Sequence, residues 1–441
     1  MSASSPIAEP GGTVHPRSRL GFWRCWAMTV GVMIGSGVFL LPSVLAPYGS
    51  ISFLGWLLTS AGAIVIALVL GRLSSRTERS GGFYVYTQEA FGNLPGFLIG
   101  WGYWLALVFA VTAIAVAFSG YLGSVIPALG ASSLRQALVA AALIWTLTAI
   151  NIRSVGSGAS FQLVTTLLKL VPLVIVIVVG VLFGESSNIP PFNPQDLSPM
   201  KALATTALLT MWAFVGIEAS VVAADDVIDP KRTIPRAVIA GTITVTIVYI
   251  ASTAAVMMLV PVEVLAESTA PFVDAASKLG AIGGPLIAFG ALVSTAGSTN
   301  GNILLAGQMP MAIALDGLAP RALAKRSAGG APVFALVLSS ILSTALLTLN
   351  YTSGLLAAFT FLIEMSTLCT LLPYAVSAMA ELKVSWKNAK AWAVLALLAV
   401  IYSVFAMAGS GLDVILWGLV MLLAGLPVFY LNRRNRANTA V

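Results

Sequence analysis

Two short stretches decide how this chain is read: GVMIGSGVFLLP at residues 31–42 and MWAFVGIEAS at residues 211–220. Each lies inside a long apolar run. Each also places glycine where a helix should be strongest: Gly35 and Gly37 around Ser36 in the first, Gly216 in the second. Glycine weakens a helix interior by about 0.5–1 kcal/mol relative to alanine, and it lets a backbone approach another group closely. A break at membrane depth leaves N–H and C=O groups unpaired, which is tolerated only where they face protein or a cavity. Interrupted spans at corresponding places in two halves of a chain mark the binding site of an inverted-repeat transporter.

The composition agrees with a membrane setting. Of 441 residues, 58% are hydrophobic and 9% charged, whereas soluble domains run at about 45–50% and about 25%. Mean hydropathy is +0.96. These values exclude a water-soluble enzyme, a disordered chain and a disulfide scaffold. The single histidine, His15, lies in the polar N-terminal stretch, so histidine triads, imidazole metal sites and histidine proton relays are excluded from the apolar core. Cys25 and Cys369 form no C-x-x-C pattern, and no G-x-x-x-x-G-K-[ST] loop is present. Neither metal, cofactor nor ATP hydrolysis is expected, and no enzyme chemistry is read from the chain.

Apolar runs of the length that crosses a bilayer fall at about 22–46, 52–71, 95–122, 134–151, 160–183, 203–224, 235–261, 283–314, 332–350, 354–379, 391–409 and 411–431. The expected fold is an all-α polytopic membrane protein of twelve transmembrane helices. Alternate loops then collect 19 of the 23 Lys and Arg on one side, with Arg135, Lys201 and Lys278 on the other and Lys169 inside a span. Positive residues mark the cytoplasmic side, so both termini are expected there. The first run follows Arg17, Arg19 and Arg24 without a small-residue cleavage site, and it reads as a retained span rather than a signal peptide. The net charge of +7 is thus topology rather than a nucleic-acid surface.

The broken runs are spans 1 and 6. Span 6 comes five crossings after span 1, so it crosses in the opposite sense. This is the pattern of a five-plus-five inverted repeat. It divides the chain at about 1–21 (N-terminal tail), 22–183 (first repeat), 203–380 (second, inverted repeat), 391–431 (spans 11 and 12) and 432–441 (C-terminal tail).

Chemistry follows from the breaks. Amide N–H groups at Ser36 and Gly37 would start the second half-helix of span 1 and suit a carboxylate. Carbonyls ending the first half-helices would suit an ammonium. The pair matches the two ends of an α-amino acid. Trp212, one turn before Gly216, could stack over a bound side chain or favour a cation by about 0.5–2 kcal/mol. Lys169, Glu218 and Glu364 are ionisable inside spans, where a charge costs about 2.5–3.5 kcal/mol or more, and are functional candidates. Lys169 lies about 13 Å along its helix from the span end, at 1.5 Å per residue. As a proton or cation site it could bridge carbonyls of span 1 and polar groups of span 8, such as Ser298.

At these residues the sequence resembles a known family. IGSGVFLLP (34–42), GWLLTSAGA (55–63), GGFYVYTQEAFG (81–92), YWLA (103–106), WAFVGIEAS (212–220), DPKRTIPRA (229–237), LLAGQ (304–308), DGLAP (316–320) and TLLPY (370–374) occur in order. Together they resemble the amino acid–polyamine–organocation superfamily, and within it the basic amino acid/polyamine antiporters of arginine–agmatine type. The resemblance implies an amino acid transporter with Ser36 and Gly37 on the substrate carboxylate. It implies Trp212 as an aromatic gate, Tyr103, Glu218 and Tyr374 as a cytoplasmic-side gate, and Ser366 lining the site. Ile34, Val215 and Asn302 complete the expected substrate-binding set.

Four positions depart from the arginine–agmatine pattern. Asn302 stands where that exchanger has a second tryptophan, and Val111 where it has asparagine. Lys169 has no counterpart there and instead resembles the proton-coupled, broad-specificity members. Glu364 is a candidate contact for a cationic substrate. Amino acid/amine exchange and proton-coupled symport therefore both stay open. A channel would need a continuous polar stripe or a ring of charge, and an intramembrane enzyme a nucleophile–base pair; the sequence offers neither. The expected setting is the cell (inner) membrane, with the lipid bilayer, small amino acids or amines, and protons as partners. A homodimer is the candidate assembly, and no nucleic acid is expected.

Charge segregation makes a testable statement about topology. Cysteines introduced as Ser187→Cys and Ser327→Cys should differ toward an impermeant thiol reagent added outside cells. The first should be labelled and the second protected; equal labelling would remove the topology and the repeat built on it.

Overall fold

A computed structural model describes residues 21–35, 37–76, 82–153, 159–217, 228–327 and 330–439, and no strand occurs among them. Span 1 is two helices, Phe22–Met33 and Gly37–Leu45. Span 6 begins as Pro199–Met211 and tightens into a 3-10 turn, Trp212–Phe214. The other spans are Ile51–Ser74 (2), Asn93–Val125 (3), Ser133–Arg153 (4), Ala159–Phe183 (5), Pro230–Leu259 (7), Gly283–Leu315 (8), Val333–Asn350 (9), Leu355–Ser385 (10) and Lys390–Ala408 (11). Span 12 is Gly411–Leu423 continued by Gly425–Thr439. A short helix, Phe83–Phe91, joins spans 2 and 3. The segment expected as a C-terminal tail from 432 is thus helical as far as Thr439, because the last helix simply runs on past its apolar part.

Among the described residues eight helices are long and apolar enough to cross a membrane, those of spans 2, 3, 4, 7, 8, 10, 11 and 12. Span 1 falls short because it is cut in two, and span 6 because its described α-helix ends at Met211. The chain is an all-α integral membrane protein.

Packed spans come in couples related by exchanging each of spans 1–10 for the one five places away. Span 1 packs on 7 as 6 packs on 2; 3 on 4 as 8 on 9; 3 on 10 as 8 on 5; and 1 on 5 as 6 on 10. Span 3 packs on 9 as 8 on 4, and 5 on 7 as 10 on 2, while the contacts 3–8, 2–7 and 4–9 are their own counterparts. An odd offset in a chain that crosses back and forth inverts the second half relative to the first. Spans 11 and 12 lie outside this pattern. Span 3 is the most enclosed: 89% of its apolar window is buried, against 17% for span 4. The centre therefore lies around span 3, and spans such as 4 and 12 present their apolar faces outward, where lipid is as good a solvent as leucine.

Hydroxyl and amide groups tie the spans where apolar packing offers no direction. Thr59 of span 2 donates to the Ala207 carbonyl of span 6 at 3.1 Å. Trp104 of span 3 donates to Ser339 of span 9 at 2.8 Å, and Asn151 of span 4 donates to Asn300 of span 8 at 2.7 Å. Such bonds contribute about 0.6 kcal/mol on average in a membrane protein.

One charged cluster closes the arginine-rich end of spans 2, 10 and 11. The Glu381 carboxylate is fully buried and accepts from Arg72 Nε at 2.8 Å, from Arg76 at 2.7 Å and from the Ser385 hydroxyl. The Arg72 guanidinium also lies 4.5 Å over the Trp392 ring. Removing one partner of a buried ion pair leaves charge uncompensated and costs about 3–5 kcal/mol. Both arginines are partly exposed, so the lower end applies. Glu381→Gln should lower stability by about 3 kcal/mol, read as an earlier thermal transition of the purified protein in detergent; an unchanged transition would show that the cluster holds nothing together.

Candidate functional site

The break in span 1 is visible in its hydrogen bonds. In an unbroken helix the Gly31 carbonyl would accept from the Gly35 N–H four residues on. That N–H instead turns back to the Met33 carbonyl at 2.8 Å, after Ile34 N–H has made the last regular bond, to Val30, at 3.0 Å. The freed Gly31 carbonyl is taken by Lys169 Nζ of span 5 at 3.3 Å, and the lysine is only 4% exposed. Ser298 of span 8 faces the same break: a Cβ on Gly35 would lie 3.0 Å from its Oγ. Lys169 and Ser298 thus both approach one interruption, with no hydrogen bond between them.

Span 6 breaks by a different local route. The helix narrows to the 3-10 turn, Val215 leaves helical geometry at ψ 130°, and Gly216 sits at φ +104°, where a Cβ would be strained. Val215 N–H bonds the Trp212 carbonyl at 3.3 Å and Ile217 N–H the Phe214 carbonyl at 3.2 Å. The Ala213 carbonyl is thereby left for a partner from elsewhere.

The two breaks meet. Gly37 opens the second half of span 1 fully buried, and a Cβ there would stand 2.9 Å from Trp212 Cδ1 and 3.1 Å from Ala213 Cα. Only glycine permits this approach. Trp212 is 6% exposed, and its Nε1–H has no hydrogen-bond partner among the described residues. A buried donor without an acceptor is costly, and this one sits beside the start of a nine-residue helix, whose first N–H groups are unpaired by construction. Donors from two elements thus face one small region, next to carbonyls released by both breaks. Such a site can hold an anion and a cation at close range.

The remaining expected residues distribute as follows. Ser366 of span 10 is buried and donates to the Ala106 carbonyl of span 3 at 2.8 Å, so its proton serves packing while its lone pairs stay available. The Asn302 side chain donates along its own helix to the Ser298 carbonyl at 2.9 Å. Ile34 is buried at the end of the first half-helix of span 1, and Val111 is buried in span 3. Glu364 is half-buried in span 10 within electrostatic reach of Tyr48, with no ion pair recorded to it among the described residues. Tyr103 and Tyr374 are both buried. Ser36 and Glu218 lie outside the described residues. No group of three or more His, Cys, Asp or Glu side chains gathers among the described residues.

Three contributors were missed in the sequence. Phe83, at the start of the helix after span 2, puts its ring edge-on to Tyr103 at 4.9 Å and to Tyr374 at 5.4 Å. It joins the two expected gate tyrosines into one aromatic cluster, and it already lay in the quoted GGFYVYTQEAFG motif. Tyr249 of span 7 donates to the Met33 carbonyl at 2.6 Å and the Ala213 carbonyl at 3.1 Å. Trp56 of span 2 packs on Tyr249 and on Phe214, with ring centres 5.1 and 6.0 Å away. Both sit in ordinary apolar runs, and nothing local to either residue signals the breaks they support.

Comparison with known proteins agrees with this geometry. The family model for amino acid permeases matches residues 20–431. A provisionally named arginine/ornithine antiporter of Bacillus subtilis (strain 168) is 34% identical over 93% of this chain and 96% of its own length. A cadaverine/lysine antiporter of Escherichia coli (strain K12) is 31% identical over 81% of each chain. The putrescine transporter PotE of Haemophilus influenzae is 29% identical over 93% of this chain and 96% of its own length. The chain belongs to the amino acid permease family, within the amino acid–polyamine–organocation superfamily.

Proposed function

We propose that this protein is a secondary active antiporter that exchanges an amino acid for an amine or a second amino acid by alternating access. The observation that carries the reading is the contact of Gly37 with Trp212 and Ala213. It places the N-terminal amides of one half-helix beside the carbonyl ends of two others, a match to a carboxylate and an α-ammonium. The named activities of the relatives, all of them transporters of basic amino acids or diamines, support the substrate class.

In this reading the amides at Ser36 and Gly37 hold the carboxylate. Ile34, Val215, Asn302 and Ser366 line the site, and Trp212 covers the substrate. Tyr103, Glu218 and Tyr374, with Phe83 between the two tyrosines, close the cytoplasmic side. Glu364 selects a cationic side chain, as a carboxylate within a span would. The two five-span repeats, about 22–183 and 203–380, move against each other around the breaks. Spans 11 and 12, about 391–431, stand outside them. The protein resides in the cell (inner) membrane with its termini, 1–21 and 432–441, in the cytoplasm, and a homodimer is its assembly.

A second reading, proton-coupled symport, rests on Lys169. Its ammonium replaces the lost amide partner of Gly31, so gain and loss of its proton would tighten and release the break in span 1 and bias alternating access.

One experiment separates the two readings. Protein in liposomes should take up labelled arginine, ornithine or putrescine only when unlabelled counter-substrate is inside, with uptake little changed by an imposed pH gradient. Accumulation driven by the gradient alone, and lost in Lys169→Met, would replace exchange with proton coupling. No uptake of any amino acid or amine under either condition would overturn the function.

A further inference from the structure

Span 11 lies outside the inverted repeat, yet it packs on spans 2 and 6. Two glycines set how closely. A Cβ on Gly62 of span 2 would stand 2.4 Å from the Tyr402 ring of span 11. A Cβ on Gly409, just past the end of span 11, would stand 2.1 Å from the Ala204 carbonyl oxygen of span 6. The Gly409 carbonyl also accepts from the Thr205 hydroxyl at 2.9 Å. Span 11 is thus fixed to the first half of span 6 at its end and pressed on span 2 at Tyr402.

Tyr402 is 7% exposed, and its hydroxyl donates to Met211 Sδ at 3.5 Å. It also interacts with the Thr59 hydroxyl of span 2. Thr59 in turn bonds the last turn of the span 6 helix twice, to the Ala207 carbonyl at 3.1 Å and to the Thr210 hydroxyl at 2.8 Å. Met211 ends that helix, and Trp212 follows it as the first residue of the 3-10 turn. A thioether is a weak acceptor, but methionine has three rotatable bonds, and a bond at its sulfur removes that freedom directly beside the tryptophan. The Trp212 indole has no hydrogen-bond partner of its own among the described residues. Its orientation is therefore inherited from the turn that carries it, and Tyr402 with Thr59 holds that turn.

We infer that Tyr402 is a positioning residue for Trp212: through Met211 and Thr59 it fixes the end of the first half-helix of span 6, and so the seat of the indole that covers the substrate. The inference rests on the proposed role of Trp212 over a bound amino acid or amine. It brings into the site a span that the repeat leaves out. Exchanging spans five places apart gives span 11 no counterpart, so the break in span 6 has a support that the break in span 1 lacks.

The test uses full-length purified protein in nanodiscs and equilibrium binding of labelled arginine and of labelled putrescine. Tyr402→Phe keeps the ring over Gly62 and removes the hydroxyl. Thr59→Val removes the hydroxyl between Tyr402 and span 6. Each should raise Kd about fivefold, the loss of one net hydrogen bond, with the number of sites per protein unchanged. The deciding readout is a double-mutant cycle with Trp212→Phe. Residues that act through a shared partner are non-additive, so Tyr402→Phe should weaken binding no further once the indole is gone. An unchanged Kd in either single variant overturns the inference, as does a fivefold loss that persists in the Trp212→Phe background. A loss confined to the number of sites, the mark of a merely structural role, overturns it as well. A parent protein that binds neither compound overturns the proposed function itself, which distinguishes that failure from this one.

Discussion

The structure depends on one contact: the backbone of Gly37 against the indole of Trp212 and the backbone of Ala213. A helix interrupted in a membrane exposes polar groups that lipid cannot satisfy, so a broken helix must be surrounded by partners. Here each break supplies much of what the other lacks, and the surrounding spans supply the rest. Lys169 from span 5 and Tyr249 from span 7 take the carbonyls that lost their amide donors. Any side chain at position 37 would push the two breaks apart and leave the groups around them without this arrangement.

The pairing of spans gives this contact its surroundings. Couples related by an offset of five run through the whole packing pattern, so the surroundings of one break are repeated, inverted, around the other. Span 1 is embraced by 5 and 7, and span 6 by 10 and 2. The same logic explains why Tyr249 can reach both breaks: span 7 packs on span 1 and lies across span 2 from span 6. Far from this centre, the cluster of Arg72, Arg76 and Glu381 binds span 2 to span 10, linking a helix that packs on the break of span 6 to the helix that carries Ser366 and Tyr374.

The helical architecture was legible in the sequence because bilayer thickness sets a strong, local signal of run length and apolarity. Runs such as 95–122 and 283–314 lie within a few residues of the helices Asn93–Val125 and Gly283–Leu315. The breaks were legible because Gly35-Ser36-Gly37 and Gly216 violate helix preference inside apolar runs. What stayed hidden was partnership across spans. Nothing in TVTIVYIAS at 244–252 says that Tyr249 faces two broken helices. Nothing in the sequence around Arg72 or Glu381 says that the fold pairs them. The expected reach of Lys169 to span 1 has a counterpart in its bond to Gly31, while Ser298 meets the break at Gly35 without a bond to the lysine. Ser366, expected to line the site, directs its proton to Ala106, a detail that only the packing of spans 3 and 10 decides.

The central claim is that the meeting of the two breaks at Gly37 creates the substrate site. Substrate binding to purified Gly37→Leu protein measures it most directly, because leucine is well tolerated in an apolar span and membrane insertion should survive the change. The account predicts a monodisperse, correctly inserted protein that binds neither arginine nor putrescine with measurable affinity. Binding at the parent's affinity would contradict it and place recognition elsewhere in the fold.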